Sequence, residues 1–315
     1  MIPVIPFVSQ SRPDTQRDWL ESLTSACEGT AEIKSFEVLS DAERQAAKVA
    51  IVANPDPAVL ERLPNLLWVQ SLWAGVERLA AELPADGPMI VRLEDPQMAE
   101  TMSEAVLAWT LYLHRDMPRY ARQQQEKLWN EGPHVLPQER TIAVLGLGNL
   151  GRVAAARLKA NGFQVTGWSR SPKSLPGIAC HHGPEGLATV LNGADITIVL
   201  TPLTSETRGM LGAREFAHIN KGAAIINFAR GPVIRTDALL QALDSGRVGH
   251  AVLDVFDEEP LPQSSPLWDH DSVTVLPHIS APTTRSTAAK LVCGNIRSFF
   301  ATGEIPASVD RKRGY

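Results

Sequence analysis

Three polar residues in the second half of the chain stand directly after apolar, strand-like runs, and their chemistries are complementary. Arg230 follows Ala224-Ile-Ile-Asn-Phe-Ala229, Glu259 lies in Leu253-Asp-Val-Phe-Asp-Glu-Glu-Pro-Leu261, and His278 follows Val273-Thr-Val-Leu-Pro277. An arginine's planar fork can hold a carboxylate bidentately. A histidine can give a proton to a carbonyl oxygen, and a neighbouring carboxylate orients its ring and stabilises the imidazolium. Reduction of a 2-oxo acid needs this set: a cation for the acid group and a proton donor for the carbonyl. In parallel α/β sheets ligands bind beyond the carboxyl ends of strands, where all three residues would stand. Each also has an ordinary reading. Arg230 could be a surface ion-pair residue, Glu259 a solvated turn acid and His278 a loop cap. Spacing alone leaves their convergence open.

A second signal lies upstream in Thr141-Ile-Ala-Val-Leu-Gly146-Leu-Gly148-Asn149-Leu150-Gly151-Arg152. An apolar strand runs into Gly-x-Gly-x-x-Gly and then into a helix. Gly146 permits the tight turn, Gly148 lets the backbone approach a pyrophosphate, and Gly151 lets the helix pack close to the strand. The helix N-terminus offers free N–H groups to the anion. The next strand, Phe163–Trp168, ends in Ser169-Arg170 rather than the acid that an NAD site places against the ribose 2′-hydroxyl. Serine and arginine suit a 2′-phosphate. A charge-assisted hydrogen bond contributes about 1.5–3 kcal/mol, so a roughly ten- to hundredfold preference for NADP over NAD is expected. Arg170 as an ordinary loop arginine is the competing reading.

These residues need a scaffold, and the rest of the chain reads as one. The 315 residues suffice for two domains. With 44% hydrophobic and 21% charged residues the balance is that of a folded protein. Short β-branched runs alternate with amphipathic ones, the pattern of α/β domains with parallel sheets. Strands are expected at 4–8, 34–39, 49–53, 67–71 and 89–92, then at 141–145, 163–168, 195–200, 223–228, 248–254 and 273–276. Helices are expected from Thr15 to about Cys27, over 99–129 with an interruption at Pro118, near Asn149, Pro184, Ser205, Arg214 and Thr236, and over 283–301. The domains are then 1–100 for substrate, completed by 283–315, and 101–282 for the dinucleotide. A net charge of −5 gives no footprint for nucleic acid, and the Arg311-Lys312-Arg313 cluster reads as a solvated tail. Cys27, Cys180 and Cys293 are too scattered for a disulfide framework or a zinc cluster, and no metal site is expected. The first residues lack a signal-peptide pattern and no long apolar run appears, so a cytoplasmic protein without a membrane span is expected.

Taken together, Gly146–Gly151, Asn227-Phe-Ala-Arg230-Gly-Pro-Val, Leu253–Leu261 and Pro277-His278-Ile resemble the D-isomer-specific 2-hydroxyacid dehydrogenases over essentially the whole chain. Gln97-Met-Ala-Glu100, Trp168-Ser-Arg170, Ser265-Pro-Leu-Trp268 and His278-Ile-Ser-Ala-Pro-Thr283 resemble, within them, the glyoxylate/hydroxypyruvate reductase A group. The resemblance implies two Rossmann-like or flavodoxin-like domains with the active site in the cleft between them. It implies Arg230 for substrate binding, His278 as acid/base and Glu259 as its partner. It also implies a carboxylate loop at Trp73, Ala74 and Gly75, where Trp73 limits pocket size; a core aromatic is the other reading of Trp73. Implied cofactor contacts are Thr201, Pro202, Leu203, Thr207, Phe228, Ala229 and Asp254, the last near the nicotinamide carboxamide. The family is commonly homodimeric through the helical connector after residue 100. NADPH-preferring reduction of glyoxylate and hydroxypyruvate, with NAD possible, is the implied activity. Reduction of larger acids such as phenylpyruvate is the nearest alternative, and a non-enzymatic dinucleotide-sensing protein of the same fold the more distant one.

Overall fold

A computed structural model describes residues 2–311. The chain divides into two compact units, Met1–Gln97 with Thr283–Tyr315, and Met98–Pro282. In the first, β1 (Val4–Ser9), α1 (Pro13–Ala26), β2 (Glu32–Ser35), α2 (Asp41–Ala46), β3 (Val49–Ala53), α3 (Pro57–Leu60), β4 (Trp68–Ser71), α4 (Glu77–Glu82) and β5 (Met89–Val91) follow one another. Then come α5 (Pro96–His114), α6 (Met117–Glu126), β6 (Thr141–Leu145), α7 (Asn149–Ala160), β7 (Gln164–Ser169), β8 (Ala179–His182) and α8 (Gly183–Leu191). The second unit is completed by β9 (Ile196–Val199), α9 (Ala213–His218), β10 (Ala223–Asn227), α10 (Thr236–Asp244), β11 (Val248–Leu253) and β12 (Val273–Val275). The last helix, α11 (Arg285–Thr302), belongs to the first unit and packs along α1.

The first unit is a five-stranded sheet in the order β2-β1-β3-β4-β5, and the second a seven-stranded sheet in the order β12-β11-β10-β9-β6-β7-β8. All pairings are parallel. Parallel strands sit between two helical layers and are buried on both faces. Strand β6 shows how: Ile142 and Val144 enter one core cluster with Ala154, Leu158 and Val106, while Ala143 and Leu145 enter another with Leu191, Ile225 and Leu239. Successive side chains point to opposite faces, so an unbroken apolar run fills both. Among the described residues no helix is long and apolar enough to cross a membrane.

Local structure differs from the expectations in five places. The long helix breaks before Pro118, not at it: α5 ends at His114, Asp116 takes a left-handed φ of 55°, and Pro118 lies in the first turn of α6. There its missing N–H leaves no bond unmade. No helix forms near Ser205. Instead the Thr204 and Thr207 hydroxyls bond to each other's backbone N–H groups and hold a turn. Strand β2 covers 32–35, and Phe36–Val38 is a 3₁₀ turn that buries Phe36. Edge strand β8, Ala-Cys-His-His, has no apolar run to announce it. Arg311 is not a free tail residue, since its guanidinium donates to the carbonyl oxygens of Pro84 and Pro88; Lys312 and Arg313 lie outside the described residues.

Candidate active site

Sheet order lines up the carboxyl ends of six adjacent strands in the second unit. His278 follows β12, Asp254 β11, Arg230 β10, Thr201 β9 and Gly146 β6, while Ser169 closes β7. Neighbouring strands lie about 4.8 Å apart, so this row spans on the order of 25 Å, the reach of an extended dinucleotide with a substrate at one end. The order reverses around β6 and β9, the switch point where such sheets open a crevice.

The residues at the β6–α7 turn fit a pyrophosphate. Gly146 has φ 102°, and a Cβ there would stand 2.7 Å from the carbonyl carbon of Leu200, so the turn lies against the end of β9. A Cβ at Gly151 would fall 1.7 Å from the Gly146 oxygen, which fixes how closely α7 approaches the strand. At Gly148 a Cβ would meet nothing within 4 Å, and no side chain caps the helix. The first-turn N–H groups of α7 therefore face open space, as anion binding requires. Thr201 is buried, and its hydroxyl finds no partner among the described residues. Asn149 is exposed at the helix start, while Leu150 is half-buried against the core. Pro202 is exposed, Leu203 packs on the core, and Phe228 and Ala229 are buried at the end of β10.

Four of the expected cofactor contacts carry bonds that the sequence did not announce. The Thr207 hydroxyl donates to the Pro202 oxygen at 2.6 Å and accepts from Thr204 N at 2.8 Å, so it shapes the 201–207 turn. Both carboxylate oxygens of Asp254 accept backbone N–H groups, from Ile279 at 2.7 Å and Ser280 at 2.9 Å. Asp254, 2% exposed, thereby anchors the segment that carries His278. Arg170 forms an ion pair with Glu206 at 3.1 Å, and the Ser169 hydroxyl donates to the Ser171 oxygen at 2.7 Å.

Glu259 and His278 come together. His278 Nδ1 lies 2.7 Å from Glu259 Oε2, and Glu259 Oε1 accepts the Phe256 N–H at 3.0 Å. The carboxylate is thus pinned at one oxygen and orients the ring with the other, leaving Nε2 for proton transfer. His278 itself has φ 56°, a left-handed conformation uncommon outside glycine and asparagine. Arg230 is placed by its neighbours. Asn227 Oδ1 accepts the Ala229 N–H at 3.1 Å, its Nδ2 donates to the Arg230 oxygen at 3.2 Å, and Arg230 Nη1 donates to the Ala229 oxygen at 2.7 Å. A Cβ on Gly231 would sit 2.0 Å from the Phe256 carbonyl carbon, so the Arg230 turn rests directly on the segment whose amide holds Glu259. Asn227 and Ser280 belong to this network although sequence reasoning gave them no role. An asparagine two residues before a buried backbone N–H is an Asx-turn signal that could have flagged the first.

In the first unit, Trp73, Ala74 and Gly75 form the turn after β4, at the carboxyl edge of that sheet. Trp73 N donates to Ser71 Oγ at 3.0 Å.

Residues 107–280 match the model of the D-isomer specific 2-hydroxyacid dehydrogenase NAD binding domain. A glyoxylate/hydroxypyruvate reductase A from Yersinia enterocolitica is 38% identical over 306 residues, 95% of this chain and 96% of that protein. A D-isomer specific 2-hydroxyacid dehydrogenase from Xanthobacter autotrophicus Py2, solved with NADPH and MES, superposes with a TM-score of 0.92 at 39% identity, covering 100% of both chains. An NADPH-dependent glyoxylate/hydroxypyruvate reductase from Sinorhizobium meliloti, solved with NADP and sulfate, superposes at 0.87 and 29% identity, covering 99% of this chain and 100% of that one. The chain belongs to the D-isomer specific 2-hydroxyacid dehydrogenase family and is an oxidoreductase.

Proposed function

We propose that the protein reduces small 2-oxo acids, glyoxylate and hydroxypyruvate, to 2-hydroxy acids, with NADPH preferred to NADH. The observation that carries the reading is the imidazole of His278 held at 2.7 Å by a carboxylate that is itself held by a backbone amide, on the strand edge that ends in the glycine turn. A bound reduced nicotinamide supplies the hydride. His278 gives its proton to the carbonyl oxygen as charge develops there, and Glu259 stabilises the imidazolium before the proton leaves. Arg230 holds the carboxylate and polarises the carbonyl; backbone N–H groups at Ala74 and Gly75 are assigned to the same carboxylate, with Trp73 bounding the pocket. Ser169 and Arg170 are assigned to the 2′-phosphate, Arg170 exchanging its exposed Glu206 for the phosphate. An ion pair with both partners this exposed is worth at most about 1 kcal/mol, so a dianion can displace it. The names of the Yersinia and Sinorhizobium relatives support the substrate and the cofactor.

A cytoplasmic homodimer is part of the proposal. Leu111, Met117, Tyr120, Leu128 and Trp129 leave apolar surface exposed along α5, α6 and the segment after them, Trp129 being 96% exposed. Such a patch is what a subunit interface covers.

Oxidation of NADPH and of NADH is to be followed with glyoxylate, hydroxypyruvate, pyruvate and phenylpyruvate. Turnover of the first two with NADPH favoured is expected. Preference for phenylpyruvate would reassign the substrate, and no turnover of any acid would leave a dinucleotide-sensing protein.

A further inference from the structure

The backbone of Trp73 is clamped on both sides. Its N–H donates to Ser71 Oγ at 3.0 Å, and its carbonyl accepts the Leu93 N–H at 3.0 Å. What this leaves undetermined is the direction of the indole. No hydrogen bond sets it, because the ring N–H is buried without an acceptor among the described residues. Packing does, and the ring on the other side of the contact is Trp19. The two indoles meet edge to face, with centroids 6.0 Å apart and planes at 81°. A T-shaped pair sets the positive edge of one ring against the negative face of the other, so turning either ring loses the contact.

Trp19 is well placed to act as a fixed stop. It is 3% exposed. Helix α1 is tied to the end of β1 through Gln16, whose Nε2 donates to the carbonyl oxygens of Ser9 at 3.2 Å and Ser11 at 2.7 Å. Asp18, beside Trp19, pairs with Arg285 of α11. The helix is therefore anchored in the turn that leads to the ring, at Gln16 and Asp18, after the carboxyl end of β1.

We propose that Trp19 is a positioning residue for substrate specificity: it holds the Trp73 indole in the orientation that excludes 2-oxo acids with bulky side chains. The inference rests on the assignment, made above, of the 73–75 turn to the substrate. Trp19 touches no reacting atom and acts only through Trp73.

The test compares kcat/KM for glyoxylate, hydroxypyruvate and phenylpyruvate in the wild type, Trp19→Leu, Trp19→Phe, Trp73→Ala and the Trp19→Leu/Trp73→Ala double variant. Trp19→Leu is expected to raise the phenylpyruvate-to-glyoxylate ratio about tenfold, chiefly through a lower KM for phenylpyruvate. Trp19→Phe keeps an aromatic edge and should stay within about twofold of the wild-type ratio. The double variant should shift the ratio no further than Trp73→Ala alone, because both changes act on one ring. A purely structural role for Trp19 would lower the active fraction equally for every substrate and leave the ratio fixed, which overturns the proposal. If Trp19→Leu yields no folded protein, Trp19→Met carries the same comparison. A wild type that reduces glyoxylate while Trp73→Ala keeps the original ratio removes the turn from the pocket, and Trp19 with it. A wild type that reduces no 2-oxo acid refutes the wider functional reading instead.

Discussion

The carboxyl edges of the two sheets are organised by different forces. In the second unit, Asn227, Asp254 and Glu259 accept neighbouring backbone N–H groups in short, directed hydrogen bonds, and His278 is bonded in turn to Glu259. In the first, the turn after β4 owes its side-chain arrangement to two indoles in contact, with a ring N–H that bonds to nothing among the described residues. Hydrogen bonds fix atoms to a few tenths of an ångström, which proton transfer requires. Packing fixes a volume, which is enough to admit or refuse a substrate. A group that reacts and a group that selects are thus held by different means.

The contrast can be broken most severely at His278. His278→Ala should lower kcat at least about a hundredfold with little change in melting temperature, since general acid catalysis is worth 10²–10⁴-fold; near-normal turnover would remove it from the chemistry. Protons provide the next largest effect. Burial, then the nearby Arg122 and His270 charges, push the pKa of His250 in β11 from 6.5 down to about 4. Between those values the unfolded chain binds the proton and the folded chain does not, so stability is full above about pH 6.5 and declines as pH falls toward 4. The loss amounts to on the order of 3 kcal/mol. Denaturant titrations of the wild type and His250→Leu at pH 7 and 4.5 should show the wild type losing more, and parallel losses would contradict the assignment.

Glu259→Gln keeps shape but removes the charge behind the imidazole. A fall in kcat of about thirtyfold is expected, with KM nearly unchanged, because the imidazolium loses the carboxylate that holds it charged and oriented for proton donation, while substrate binding is left to Arg230. Arg170→Ala should reduce the NADPH-to-NADH ratio of kcat/KM about tenfold; an unchanged ratio would return Arg170 to the surface role it plays with Glu206. The smallest effect belongs to the packed side. Trp73→Phe removes a buried donor that already lacks a partner, so no hydrogen bond is lost. Thermal unfolding should register a change of roughly 1 kcal/mol or less, against several for Asp254→Ala, which would strand two backbone N–H groups.

How legible each side was follows from the same contrast. The glycine turn was readable because three positions each need a missing side chain for a separate reason, and chance seldom supplies all three after a strand. Glu259 and His278 were readable as chemistry but not as a pair, since 19 residues separate them and only the β11–β12 pairing closes the gap. The backbone bonds of Asp254 were not readable, because a buried acid at a strand end looks the same in sequence whether it holds the chain, a ligand or both. The helix expected near Ser205 failed because two threonines bond locally, a competition that hydrophobic periodicity does not register. Trp19 carried no signal at all. Its partner lies more than fifty residues away, and an apolar position in an amphipathic helix reads as core whether or not it serves a neighbour.

The clearance under Gly231 has a further implication. Growth by a single methyl at that position would collide with the main chain at Phe256 and shift the amide that grips the glutamate. The damage would surface at an imidazole 47 positions downstream, with every reactive group still present. A survey of the reactive groups alone would therefore pass over one of the most sensitive points in the enzyme, a place defined by what the chain leaves out.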